Sequence, residues 1–83
     1  MDGILLYDDT QNRFVVQPLV NGVIDDETPP TELHCGACLT LQVKQNEWHE
    51  TRIENDSADE LYGWYFVGIG RAAQYIGHSV RIE

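Results

Sequence analysis

The sequence predicts an all-β protein, a small antiparallel barrel of five to six strands with one short helical turn near the C-terminus. Three observations support this fold class. Short apolar runs alternate with clusters of turn-forming residues along the chain. Residues 39–44 alternate between apolar and polar side chains, which is the period of a half-buried strand. Gly70 and Gly77 enclose six residues, a spacing that suits one helical turn with a glycine stop.

The first third of the chain is expected to hold a hairpin and a short third strand. Residues 4–7 and 13–17 are strand-type runs, and the five polar residues between them are turn formers. The dipeptide Asn21-Gly22 favours positive φ, and therefore a tight turn before a short strand at residues 23–24. Residues 25–31 combine three acids with two prolines and are expected to form a solvated loop.

Residues 32–54 are predicted to form a turn, a strand, a tight turn and a return strand, around which the barrel is organised. On the return strand, Arg52 shares a face with Glu50 and Glu54. We therefore expect ion pairs on that face, each worth under about 1 kcal/mol.

The last third contains the most aromatic run of the chain, residues 62–69, with apolar side chains on both faces. Such a run is typical of a central strand or of one that crosses a barrel corner, and a ligand-binding aromatic surface is the alternative interpretation. Residues 79–82 are predicted to form the last strand, with their aliphatic side chains inward. Because the chain has 83 residues and no internal repeat or long linker, we expect one domain, residues 1–83.

The charge balance is strongly acidic, with 14 acidic and 5 basic side chains and a net charge of −9. This charge repels phosphate backbones and anionic membranes, so we expect no direct binding to nucleic acid or membrane. It favours attraction to a basic protein surface, and it is equally compatible with a role in solubility alone.

Three features indicate a cytoplasmic protein. The first nine residues lack the basic segment and apolar run of a secretory signal. No stretch approaches the roughly 18 apolar residues of a membrane span. Two cysteines three positions apart cannot form the disulfide framework of a small secreted protein, and a reducing compartment is expected.

The segment Cys35-Gly36-Ala37-Cys38 is the one that most invites a chemical role. Its spacing, with His34 adjacent, supplies half of a tetrahedral zinc site, but no second pair of ligands is present in the sequence. A redox pair is disfavoured because a strand rather than a helix follows. We expect no cofactor and no metal, with the cysteines as small apolar side chains in a turn that Gly36 tightens. The alternative is a structural zinc-binding or oligomerising domain that uses Cys35 and Cys38.

No catalytic constellation can be read from the sequence. Adjacent residues on a strand point to opposite faces, so His34 and Cys35 are not expected to pair. The acids are concentrated in loops, where carboxylates rarely become general acids without burial. Gly68 and Gly70 lack the third glycine and the long helix of a phosphate-binding loop. We therefore expect no enzymatic activity.

The order of several features resembles that of SH3-type barrels. Residues 5–9 (LLYDD) are similar to the first strand of that fold, residues 32–41 to its diverging turn, and residues 48–52 to the strand after its second hairpin. Because no proline follows Pro30, the proline-rich peptide groove of SH3 domains is not expected.

Four segments resemble a family of small bacterial proteins of unknown function that phages and mobile elements often carry. They are LHCGAC at residues 33–38, TRIE at 51–54, GWYFVG at 63–68 and VRI at 80–82. The resemblance implies a context, since small acidic proteins of mobile elements often bind and block host proteins.

Charge and resemblance together favour an acidic protein-binding module that inhibits a host defence protein, in the manner of an anti-CRISPR or anti-restriction protein. The partner would be a basic host protein, such as a nucleic-acid-binding effector. A homo-oligomer that uses the strand containing Trp64 is a further hypothesis. The predicted partner-binding residues are the acids of two loops: Asp25, Asp26, Glu27, Asp56, Asp59 and Glu60.

Overall fold

The computed structural model describes residues 1–57, 59 and 61–82, and in this part of the chain nine strands form one antiparallel sheet. Six of the strands have three residues or more, and the other three have two each. A four-residue 3-10 turn, Ala72–Tyr75, precedes the last strand. The strands are β1 (Asp2–Asp8), β2 (Arg13–Val20), β3 (Val23–Ile24), β4 (Thr31–Glu32), β5 (Cys38–Lys44), β6 (Glu47–Asn55), β7 (Trp64–Phe66), β8 (Gly70–Arg71) and β9 (Ser79–Arg81).

This architecture confirms the all-β prediction and the single late helical turn. The 3-10 turn ends before Gly77, whose φ of 93° only glycine adopts easily, so the expected glycine stop is present. In the described residues no helix is long and apolar enough to cross a membrane.

The strand order is β3-β2-β1-β9-β5-β6-β7-β8, and β4 also pairs with β2. The last strand therefore lies between the N-terminal hairpin β1–β2 and the central hairpin β5–β6. Backbone hydrogen bonds extend this junction at both ends, from Leu5 N to His78 O and from Ile82 N to Met1 O. This insertion makes the two hairpins one curved sheet around a shared core.

Two predicted turns are confirmed by their backbone conformation. The β1–β2 turn begins at Asp8, whose carboxylate accepts hydrogen bonds from the amides of Thr10 and Gln11. In the β2–β3 turn, Asn21 and Gly22 have φ values of 54° and 78°. Two consecutive positive φ values are the signature of the two-residue turn that suits a right-twisted hairpin.

In the central hairpin, the side chains of β5 are buried and exposed as the sequence predicts. Leu39 and Leu41 are buried, whereas Lys44 at the end of β5 is exposed. The expected ion pair on the outer face of β6 joins Arg52 Nε to Glu54 at 3.8 Å.

The aromatic run forms a shorter strand than its composition predicts. Only Trp64–Phe66 is in a ladder, and this strand lies next to the two-residue β8 near one end of the strand order. The reason is the backbone at Gly68 and Gly70, where φ values of 77° and 149° turn the chain back. Tyr62 is outside the strand and 63% exposed.

A single cluster of buried apolar side chains lies inside the curved sheet. It draws on the N-terminal hairpin, the segment between β4 and β5, the central hairpin, β7, the 3-10 turn and β9. Val80 is fully buried and Ile82 packs against the cluster, as predicted for the last strand. The cluster consists of Leu5, Phe14, Val16, Leu33, Leu39, Leu41, Ile53, Trp64, Phe66, Ala72 and Val80.

Candidate functional site

The first acidic loop, residues 25–30 between β3 and β4, is organised by Asp25. Its carboxylate accepts hydrogen bonds from the hydroxyl of Thr28 at 2.5 Å and from the amide of Glu27 at 3.0 Å. The Thr28 hydroxyl and then the Glu27 amide hold the pKa of Asp25 below its usual value. Gln17 on β2 donates to the Asp25 carbonyl at 2.7 Å, which fixes the loop to the sheet. Asp25 therefore shapes the loop, and Asp26 and Glu27 are left exposed beside it.

In the second acidic loop, between β6 and β7, Asp56 and Asp59 act in a similar way. Asp56 forms an ion pair with Nη1 of Arg71 at 2.8 Å. The hydrogen bond from Arg71 lowers the pKa of Asp56, and the same bond raises the pKa of Arg71. Asp59 accepts hydrogen bonds from the amides of Leu61 and Tyr62 at 2.9 Å and 2.6 Å. Both side chains hold the loop together.

The two acidic loops follow β3 and β6, which are far apart in the strand order. Among the described candidates, Asp26 and Glu27 are those whose carboxylates form no hydrogen bond or ion pair with another described residue. Glu60, the remaining predicted residue, lies outside the described residues. The structure therefore singles out two carboxylates of the first loop as available to a partner.

The first acidic loop adjoins a group of exposed aliphatic residues that sequence reasoning did not single out. Val20, Val23 and Ile24 are 55%, 68% and 46% exposed at the end of the β2–β3 hairpin, and we call them the apolar tip. The tight turn at Asn21-Gly22 explains their exposure, because it carries both short strand ends beyond the core. This exposure could have been predicted from the sequence, because aliphatic residues flank a two-residue turn on both sides.

Cys35 and Cys38 are free thiols, and both are exposed. The expected turn is present: Ala37 N donates to His34 O at 2.9 Å, and Gly36 has a φ of 87°. The cysteines nevertheless lie at the surface and do not pack as small apolar side chains. Among the described residues, no group of three or more His, Cys, Asp or Glu side chains could hold a metal ion.

His34 is oriented by two side chains rather than by Cys35. Nη1 of Arg13 donates a hydrogen bond to His34 Nδ1 at 2.8 Å, and Nε2 lies 3.8 Å from Glu32. Because Nδ1 accepts, the neutral ring carries its proton on Nε2. The ring therefore belongs to the contacts that fix the turn to β2 and β4.

A concave feature, which we call the outer groove, lies on the outward face of β9, β5 and β6. Its volume is about 580 Å³. Thr40 on β5 stands opposite Arg81 on one side and Glu50 on the other, and Cys38 stands opposite Arg52. The alternation of apolar and polar residues along β5 and β6 could have predicted part of this face. The pairing of β9 with β5 could not be predicted, because these strands are far apart in the sequence. The groove is lined chiefly by Cys38, Thr40, Glu50, Arg52, Val67 and Arg81.

Comparison with known proteins agrees with this description. The family model for a domain of unknown function, DUF5348, matches residues 3–82. A crystal structure of a protein from Ruminococcus gnavus is similar, with 29% sequence identity, a TM-score of 0.72, and coverage of 99% of this chain and 100% of that chain. A comparison with curated proteins gave no match. The resemblance to a family of unknown function is thus confirmed, and the chain belongs to the DUF5348 family.

Proposed function

We propose that the protein is a non-enzymatic, acidic binding module that occupies a basic surface of a protein partner through the first acidic loop and the apolar tip. The observation that carries this proposal is their juxtaposition: only Asp25 separates the exposed carboxylates of Asp26 and Glu27 from Val23 and Ile24 in the chain. Exposed apolar side chains with a charged border are typical of protein–protein contact sites.

The charge of the whole molecule supports the same class of partner. A net charge of −9 on 83 residues attracts basic surfaces and steers their approach. Asp25 contributes to the site without direct contact, because its hydrogen bonds to Glu27 and Thr28 fix the path of the loop. The carboxylates are therefore presented in one arrangement before binding, which lowers the entropy lost on association.

More specifically, we propose that the partner is a basic, nucleic-acid-binding protein and that the first acidic loop covers its phosphate-binding surface. Such a protein acts in the cytoplasm, and the family resemblance to proteins of phages and mobile elements suggests that the target is a host defence protein. The activity would then be inhibition of the kind that anti-CRISPR or anti-restriction proteins exert.

The test is affinity capture from host lysate with wild-type protein and two variants of equal charge. Asp26→Asn/Glu27→Gln removes the two unpaired carboxylates, and Asp9→Asn/Glu47→Gln removes two exposed acids elsewhere, one in the β1–β2 turn and one at the start of β6. We expect the first variant to lose the captured partner and the second to retain it. Raising the salt from about 50 mM to about 500 mM should release the partner, because screening weakens contacts between exposed charges.

Three results would contradict the proposal. Equal capture by the two variants would show that these carboxylates have no special role. Capture that is indifferent to salt, or partners that are themselves acidic, would exclude an electrostatic interface. A third variant, Val23→Thr/Ile24→Thr, separates the apolar contribution and should weaken capture at both salt concentrations.

A further inference from the structure

The four arginines of the chain use their guanidinium groups in two different ways. Nη1 of Arg13 and Nη1 of Arg71 donate hydrogen bonds to neighbouring loops. Arg52 and Arg81 instead form ion pairs through Nε, at 3.8 Å and 3.4 Å. Among the described residues, these ion pairs leave their terminal nitrogens unused. Both arginines line the outer groove.

The sheet register places the two arginines on either side of Thr40. Arg81 is its partner on β9, and Arg52 stands on β6, two positions along β5 from it. With strands about 4.8 Å apart and a rise of about 3.3 Å per residue, the two Cα atoms lie about 12 Å apart. Arg81 extends across β5 towards Trp48, and Arg52 pairs with Glu54 on its own strand, so the two guanidinium groups line the groove separately.

Arg81 is held in position before any ligand arrives. Its guanidinium carbon lies 4.1 Å from the centre of the Trp48 ring, and its Nε faces Asp2 at 3.4 Å. Stacking and ion pair together fix the plane of the group, which reduces the entropy lost when its terminal nitrogens bind.

We infer that the outer groove is a binding site for a small organic carboxylate. A carboxylate is planar and accepts two parallel hydrogen bonds from the terminal nitrogens of a guanidinium group. Val67, which is 37% exposed, supplies apolar contact for the rest of the molecule. Glu50 in the groove and the net charge of −9 repel a phosphate dianion more strongly than a monovalent carboxylate. This site is independent of the first acidic loop and does not rest on the proposed function.

The chain carries its own reporter for this site, because Cys38 lines the groove and Cys35 does not. Each thiol can be studied alone in the variants Cys35→Ser and Cys38→Ser. The probes are two aromatic disulfides, the dianionic 5,5′-dithiobis(2-nitrobenzoate) and the neutral 4,4′-dithiodipyridine. In each reaction the cysteine thiolate attacks the reagent, the S–S bond breaks, one half forms a mixed disulfide with the protein, and the other half leaves as a coloured thiolate or thione.

We expect the ratio of the rate with the anionic reagent to the rate with the neutral one to be at least about tenfold higher for Cys38 than for Cys35, which corresponds to about 1.4 kcal/mol. In the Cys35→Ser background, Arg52→Gln and Arg81→Gln should each lower this ratio severalfold. Lys44→Gln, which removes the same charge outside the groove, should leave it almost unchanged. Equal ratios for the two cysteines, or equal effects of the three substitutions, would overturn the inference.

A competition experiment distinguishes a carboxylate from other anions. At constant ionic strength, benzoate should protect Cys38 from the anionic reagent at a lower concentration than inorganic phosphate does, and neither should protect Cys35. Stronger protection by phosphate would contradict the assignment to carboxylates. Protection by neither anion would contradict the site itself.

Discussion

At the scale of single residues, two glycines are required for different physical reasons. Gly3 is buried in β1, and a Cβ there would meet Cγ1 of Val16 and lie 2.5 Å from the carbonyl oxygen of Gln17. A Cβ at Gly22 would have no heavy atom within 4 Å, but the φ of this residue is 78°. The first position therefore lacks space for a side chain, and the second only demands a left-handed backbone.

We predict that Gly3→Ala lowers the free energy of unfolding by about 2–3 kcal/mol, because the clash involves backbone and the strand pair must shift. Gly22→Ala should lower it by about 1 kcal/mol, the strain of alanine at positive φ. The measurement is urea unfolding followed by tryptophan fluorescence. If the free energy of unfolding fell equally in the two variants, or fell more in Gly22→Ala, β1 and β2 would be able to move apart with little loss of stability.

Several predicted site residues proved to be loop formers, and the sequence carried a signal for this. Aspartate side chains often accept hydrogen bonds from amides two or three residues later. Asp8, Asp25 and Asp59 all do so. A loop aspartate followed by small or polar residues is therefore a weaker candidate for partner binding than an acid in the middle of the loop, such as Asp26.

At the scale of elements, the second acidic loop is joined to β8 by one ion pair. Asp56 lies just after β6, and Arg71 is the last residue of β8, so their 2.8 Å contact ties the loop to the end of the sheet. The pKa of Asp56 is lowered in the folded protein by the hydrogen bond from Arg71. A lowered carboxyl pKa contributes stability above the unfolded value of 3.8 and loses it as the pH falls through the folded value.

We therefore predict that Asp56→Asn is less stable than the wild type at about pH 6. This difference should shrink at about pH 3, because the pH is then below the unfolded value of 3.8 and falls towards the lower folded pKa. Asp9→Asn, at an exposed acid in another turn, is the control and should change stability little at either pH. Both can be followed by the urea midpoint. A difference for Asp56→Asn that stays constant between the two pH values would contradict the role assigned to the ion pair.

The elements that local chemistry determines were predictable from the sequence, and those that depend on distant partners were not. The Asn21-Gly22 turn, the alternation of β5 and the turn before Gly77 each follow from a few neighbouring residues. The two-residue β4 exists only because it pairs with β2. The outer groove, likewise, needs β9 beside β5, and no neighbouring residue in the sequence specifies that pairing.

At the scale of the whole molecule, the excess of negative charge acts against the compact state. The Cα radius of gyration is 11.9 Å, and the molecule extends 36 × 30 × 19 Å. At about 10 mM salt the Debye length is about 30 Å, so carboxylates on all sides repel one another. At about 150 mM it is about 8 Å, and only near neighbours still interact. Ion pairs between arginines and carboxylates oppose this repulsion locally in the described part of the chain, but they too weaken with salt.

Because the net charge is −9, we expect repulsion to outweigh these exposed ion pairs, so that sodium chloride raises the melting temperature between about 10 mM and about 150 mM. A gain of about 1 kcal/mol would appear as a rise of about 4–8 °C in a domain of this size. The matched control is a variant with Asp9→Asn, Asp26→Asn, Glu27→Gln and Glu47→Gln, which removes four negative charges at exposed positions. Its melting temperature should be higher at low salt and should rise less with added salt. A melting temperature that falls with salt in the wild type would show that the ion pairs, and not the net charge, dominate the electrostatic free energy of the fold.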